Sequence, residues 1–147
     1  MKRKAFIVLI FILSFAISFS LEEYQKIILK GVNVEREKNH LKPLKIDNRL
    51  NKIAIVKAKD MAREKKMSHT SKKFGVTFNL IKKEGISYTK AAENIASGHK
   101  TPEFVTERWL KSKGHRKNIL ERDYRFIGIG KATDNDGKIY WVQIFTN

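Results

Sequence analysis

The 147-residue sequence contains no cysteine and only two prolines, and each scarcity narrows what the chain can be. Small secreted domains often lean on disulfides when their core is thin, so a domain without cysteine holds together by packing alone. The same absence excludes a lipid-modified amino terminus, for which no cysteine is available. Acid is also scarce: 15 Asp and Glu stand against 31 Lys and Arg, a net charge of +16. No glycine loop suited to cradling a nucleotide, no internal repeat, no low-complexity linker and no base-reading motif occurs. A surface this basic attracts polyanions in a salt-sensitive way. The lysines are scattered rather than striped, which fits an ordinary solvated face equally well.

The amino terminus has a pattern of its own. Lys2, Arg3 and Lys4 precede an uncharged apolar run from Ala5 to Phe19, and Ser18 and Ser20 supply small residues where a signal peptidase reads. Residues 1–20 are therefore expected to be a signal peptide cleaved after Ser20. The alternative is a retained anchor, although the run is shorter than the roughly 20 apolar residues a span requires. The remaining chain, residues 21–147, carries a net charge of +13 once the three basic residues of the leader are removed. It is long enough for one domain with a real core.

Apolar spacing through Tyr24, Ile27, Ile28 and Val32 predicts a helix from Leu21 to about Asn39. Pro43 then forbids helix continuation and favours an extended connection through LKPLKID. A second helix is expected from a cap at Asp47 or Asn48, its inner stripe running through Leu50, Ile53, Ala54, Ala58, Met61 and Ala62. A short helix over Phe78–Lys83 stops at Gly85, a left-handed cap. Thr101 and Pro102 start another helix, whose inner face is read as Phe104, Val105, Arg108, Trp109 and Ser112 until Gly114 breaks it. RFIGIGKAT and KIYWVQIFT read as strands joined by a hairpin turn at Asp134, Asn135, Asp136 and Gly137, a sequence without the spacing of a calcium loop. Helices first and strand pairing last indicate an α+β fold with an antiparallel sheet covered by helices.

His69 in MSHTS and His115 in KSKGHRKN both mark helix ends, and between them AAENIASG sets Glu93 and Asn94 among small residues. Trp109, Trp141, Tyr140 and Phe145 fall at core spacing. His40 and His99 sit in loops without a visible partner. Phe74, Phe78 and Ile81 could line an apolar groove or pack over the core.

The ordered set NVER, PL, MSHTS, AENIASG, WLKSKGHRKNIL, IGIG and YWVQIF resembles the CAP superfamily, or SCP domain. That family joins cysteine-rich secretory proteins, insect antigen 5, plant pathogenesis-related proteins and secreted bacterial relatives. The resemblance covers essentially all of 21–147, and its lean, cysteine-free form suggests the bacterial type. It implies a three-layer α-β-α sandwich with a central antiparallel sheet, and a cleft of two histidines and two glutamates that takes zinc or a related divalent ion. His69, Glu93 and His115 match the metal-binding positions. Ser112 stands where the second glutamate usually is, so it would line the cleft with Asn94 but could not act as a carboxylate base. Asn33, Arg36 and Trp109 match structural positions, with Arg36 suited to tie several carbonyls together. His40 replaces a common glycine at a left-handed helix terminus, and Ala92 another before Glu93.

From the resemblance, the expected function is a secreted or surface-held binding module, monomeric, with an envelope or host polyanion, a lipid or a protein as partner. A periplasmic location is also compatible. The alternatives are a metal-dependent hydrolase in which Glu93 serves as the base, and a lipid- or sterol-binding protein.

Overall fold

The computed structural model describes residues 21–147, so the expected signal peptide lies outside the described residues. The first helix, α1 (Glu23–Lys38), is closed at its start by a reciprocal pair between Glu22 and Gln25. The strand β1 (Lys45–Ile46) comes shortly after Pro43. Asp47 then accepts the Arg49 backbone N–H at 2.8 Å and starts α2 (Asn48–Glu64). A small hairpin of β2 (Thr70–Ser71) and β3 (Gly75–Val76) leads into α3 (Thr77–Lys83). Then come β4 (Ala91–Ser97), α4 (Pro102–Lys111), α5 (Lys113–Ile119), β5 (Phe126–Thr133) and β6 (Ile139–Thr146).

The main sheet has the order β1-β5-β6-β4, antiparallel except where β1 runs parallel to β5 over two residues. Helix α2 with α3 covers one face and α1, α4 and α5 cover the other, the three-layer α-β-α sandwich. Two apolar clusters fill the gaps. Ile28, Val32, Trp109, Trp141 and Phe145 belong to one. Leu50, Ala54, Met61, Tyr140 and Ile144 belong to the other.

Alternation along β5 explains how closely α2 approaches. Gly128 and Gly130 face it, and a Cβ on either would stand 2.3 Å from backbone carbon of Leu50 or Ala54. Only glycine lets the helix backbone lie directly on the strand. Beyond β1 the outer edge of β5 has no strand partner, and two buried side chains close it. Asn51 of α2 accepts the Ile129 N–H at 2.8 Å, and Gln25 of α1 donates to the Ile129 carbonyl at 2.9 Å.

Several local expectations are corrected. Phe104 and Arg108 are exposed, and the buried face of α4 is Val105, Thr106 and Trp109. The break after α4 falls at Ser112, whose extended backbone (φ −89°, ψ 122°) separates the two helices, while Gly114 lies inside α5. Ala91–Ser97, alanine-rich and containing Glu and Asn, is a seven-residue strand. Its register with β6 overrides poor strand propensity. Positive φ is found at His40 (57°) and Gly85 (69°).

Replacing Gly130 by alanine should force α2 off the sheet and cost about 3 kcal/mol of stability, at the upper end for an overpacked core. Urea denaturation measures it; an unchanged midpoint would mean that α2 does not bear on β5 as described.

Candidate functional site

The pleat of β4 sends neighbouring side chains to opposite layers. Glu93 pairs across to Ile144, within the cluster under α2, whereas Asn94 pairs to Gln143 between Trp141 and Phe145 on the α1 side. Because β4 is at the edge of the sheet, groups from the two helical layers can meet around it.

On the α2 side, His69 lies in the segment between α2 and β2, five residues past the helix end rather than directly after it. Its Nδ1–H donates to Glu93 Oε1 at 2.7 Å. The imidazole side chain is 62% exposed and the carboxylate only 4%. The other carboxylate oxygen, Oε2, accepts the hydroxyl of Thr77, the first residue of α3. Thr77 has no counterpart among the residues singled out from sequence: a lone threonine at a helix start reads as ordinary chemistry.

On the other side, Asn94 is completely buried and pins α5 to the sheet. Its amide donates to the His115 carbonyl at 3.1 Å and to Gln143 Oε1 at 3.0 Å, while its Oδ1 accepts from Asn118 at 2.8 Å. His115 is thus carried within α5, half-buried. Burial pushes its imidazole below the ordinary histidine value, and the nearby His69 ring pushes the same way. Ser112 sits half-buried at the junction of α4 and α5, with no side-chain capping bond to α5.

Arg36 is fully buried. It donates to the carbonyls of Lys42 (2.8 Å), Ile119 (2.8 Å), Glu121 (2.9 Å) and Tyr124 (3.4 Å). Asn33 exchanges two bonds with the Leu44 backbone, at 3.0 and 2.8 Å. Trp109, Trp141, Tyr140 and Phe145 are all at most 1% exposed. His99 has partners that sequence did not suggest: its ring meets Phe104 edge-on and its carbonyl accepts Trp141 Nε1–H at 2.8 Å. Ile81 is fully buried and Phe78 packs against the α2 cluster, so these two serve the core.

A three-ligand metal centre would need Glu93 as a direct ligand. Both of its oxygens already accept hydrogen bonds. Among the described residues no three His, Asp or Glu side chains are grouped as a ligand set.

The fold is an α-β-α sandwich whose edge strand carries Glu93 and Asn94. Residues 29–145 match the Cysteine-rich secretory protein family, CAP, and the chain belongs to that family. It is 44% identical over 126 residues to the protein YkwD of Bacillus subtilis (strain 168), covering 86% of this chain and 48% of YkwD. The SCP domain of an extracellular Bacillus anthracis protein superposes with a TM-score of 0.75 at 29% identity, covering 84% of this chain and 39% of that one. An outer surface protein from Borrelia burgdorferi gives a TM-score of 0.78 at 27% identity, with 87% and 95% covered. The chain spans about half the length of YkwD.

The pH dependence has a definite sign. His115, and His99, whose burial and neighbouring Arg108 also lower its value, bind fewer protons folded than unfolded. The stability this contributes is present above the ordinary value near 6.5 and is lost as pH falls through the lowered folded values. The urea midpoint of metal-free protein should therefore drop between about pH 7.5 and 5, and less so in His115→Gln. Equal slopes for parent and variant would contradict the assignment to His115.

Proposed function

We propose that this CAP-domain chain is a secreted or surface-held binding module, with the cleft around Glu93 as its recognition site and a divalent cation as one candidate occupant. The observation that carries this reading is the double engagement of the Glu93 carboxylate by His69 and Thr77. A carboxylate with both oxygens engaged and only 4% of its side chain exposed orients the His69 ring and has little access to a water that it could deprotonate. Ser112, in the place of a second glutamate, supplies no replacement base. Hydrolysis through Glu93 is accordingly the weaker alternative. With Nδ1–H committed to Glu93, His69 presents Nε2 as its lone-pair nitrogen, and His115, whose imidazole burial pushes below the ordinary histidine value, is the second donor. These are the residues that would hold a cation, at modest affinity since the protein supplies two nitrogens. Relatives described as extracellular and outer-surface proteins support the location. The basic surface is compatible with a polyanionic envelope or host partner.

Calorimetry on untagged protein tests the cation. Zinc heat should be measurable in the parent and lost in both His69→Ala and His115→Ala, with the fold retained by circular dichroism. Absence of heat in the parent would leave the histidines only their packing and hydrogen bonds.

A second reading, lipid capture, is favoured by a different feature. A groove of about 680 Å³ runs between α1 and α4, lined by Ile27, Gly31, Val34, Thr106 and Leu110 and by the charged Lys30, Lys111, Arg116, Glu103 and Glu107. Gly31 lets α1 lie close against α4 there, since a Cβ would come within 2.9 Å of Thr106. Val34→Lys should abolish fluorescent fatty-acid binding while leaving zinc heat unchanged; equal binding by parent and variant would remove the groove from consideration.

A further inference from the structure

The strand β4 closes the sheet order and pairs with β6 along one side only. Bonds just beyond its two ends fix which main-chain groups point inward. The Gly98 N–H donates to the Ile139 carbonyl at 2.8 Å and the Asn147 N–H to the Lys90 carbonyl at 3.3 Å, both on the register that sets Ala91 opposite Thr146. Main-chain direction alternates along an antiparallel strand, so Ala92, Asn94 and Ala96 turn theirs to β6, while Ala91, Glu93, Ile95 and Ser97 turn theirs to the open side. One group there is taken: the Ile95 carbonyl accepts Trp109 Nε1–H at 3.4 Å. The N–H and C=O of Ala91 and Glu93 have no hydrogen-bond partner among the described residues. Glu93 is 9% exposed as a whole residue but only 4% in its side chain, so solvent reaches its main chain rather than its carboxylate.

We propose that this open edge is a docking site for an extended acidic peptide, which adds to the sheet as a further strand by pairing with the main chain of Ala91 and Glu93. Donors and acceptors that recur at every second residue match an extended polypeptide and not a lipid tail. The pleat sends alternate side chains of such a strand to opposite faces. One face is the α2 side, where His69 and Thr77 hold the Glu93 carboxylate; the other is the α5 side, where Asn94 holds the His115 carbonyl. Met67 and Val76, within two residues of His69 and Thr77, are 49% and 41% exposed and supply apolar surface for the first set. Charge selects the sign of the partner. Lys73 on the small hairpin and Lys113 and Lys117 on α5 are exposed, in a chain of net charge +16, so acidic side chains are attracted to this edge. A second copy of the same chain would bring like charges together there.

The inference rests on the Glu93 cleft being the recognition site and names the partner it takes. Amide hydrogen exchange followed by NMR tests the edge itself: in the free protein the Ala91 and Glu93 amides should exchange about tenfold faster than those of Ala92 and Asn94, and equal protection overturns the proposal. An alternating Glu–Val peptide, blocked at both ends and added at millimolar concentration, should slow the Ala91 and Glu93 amides, whereas the matching Lys–Val peptide should not. Ala91→Pro removes one outward N–H and leaves the β6 ladder intact. It should weaken the Glu–Val peptide about tenfold with an unchanged urea midpoint; undiminished binding overturns the pairing. Should that variant fail to fold, N-methylation moves the test to the peptide: blocking one alternate set of its amides should abolish the protection and blocking the other should not, and equal effects overturn it. Protection that grows with protein concentration alone would assign the edge to a second copy and remove the peptide. Zinc heat in the parent without any peptide-induced protection would likewise overturn the inference while leaving the cleft as a cation site.

Discussion

A guanidinium with no route to water must find its acceptors inside the protein, and Arg36 finds carbonyls that no secondary structure claims. Lys42 lies in the connection after α1, Ile119 ends α5, and Glu121 and Tyr124 belong to the loop leading into β5. Left without a donor, such carbonyls would be costly to bury; those of Glu121 and Tyr124 also accept from the Tyr124 N–H and from Arg125. One side chain with a rigid fork of donors satisfies them together. The consequence reaches the edge strand: with Arg36 at its end and Asn94 at its His115 carbonyl, α5 is held at both places, and the His115 backbone is fixed against β4.

The opposite wall depends on a different constraint. Two glycines on β5 bring the α2 backbone onto the sheet, and that approach buries Lys57. Glu93 therefore joins two separately determined walls. It bonds His69 and Thr77, which come after α2 in the chain, while its neighbour Asn94 holds α5.

Sequence patterning made much of this legible and missed a definite part. The α1 and α2 stripes, the short helix before Gly85, and the final hairpin all follow from periodicity and turn residues. The CAP family was legible separately, through the resemblance of an ordered set of motifs. The strand β4 escaped because alanine, glutamate and asparagine carry little strand preference, and what makes it a strand is pairing with β6 across more than forty intervening residues. The inner face of α4 was misplaced at Phe104 and Arg108 because a stripe drawn on one helix does not say which neighbour it will meet. Thr77 and Lys57 gave no signal at all: one looks like a helix start and the other like one more lysine in a chain rich in them.

Composition and local order by themselves determined that packing, not disulfides, stabilises this domain, that its surface is basic, and that His69, Glu93 and His115 are its chemically distinctive residues. They did so because periodicity, turns and charge are properties of neighbours along the chain. Only the tertiary structure decided that Glu93 and Asn94 would face opposite layers, that both Glu93 oxygens would be occupied, and that one lysine among many would lose its water. Those outcomes are set by pleat, register and the distance between a helix and a sheet, quantities that exist only once remote segments are packed together.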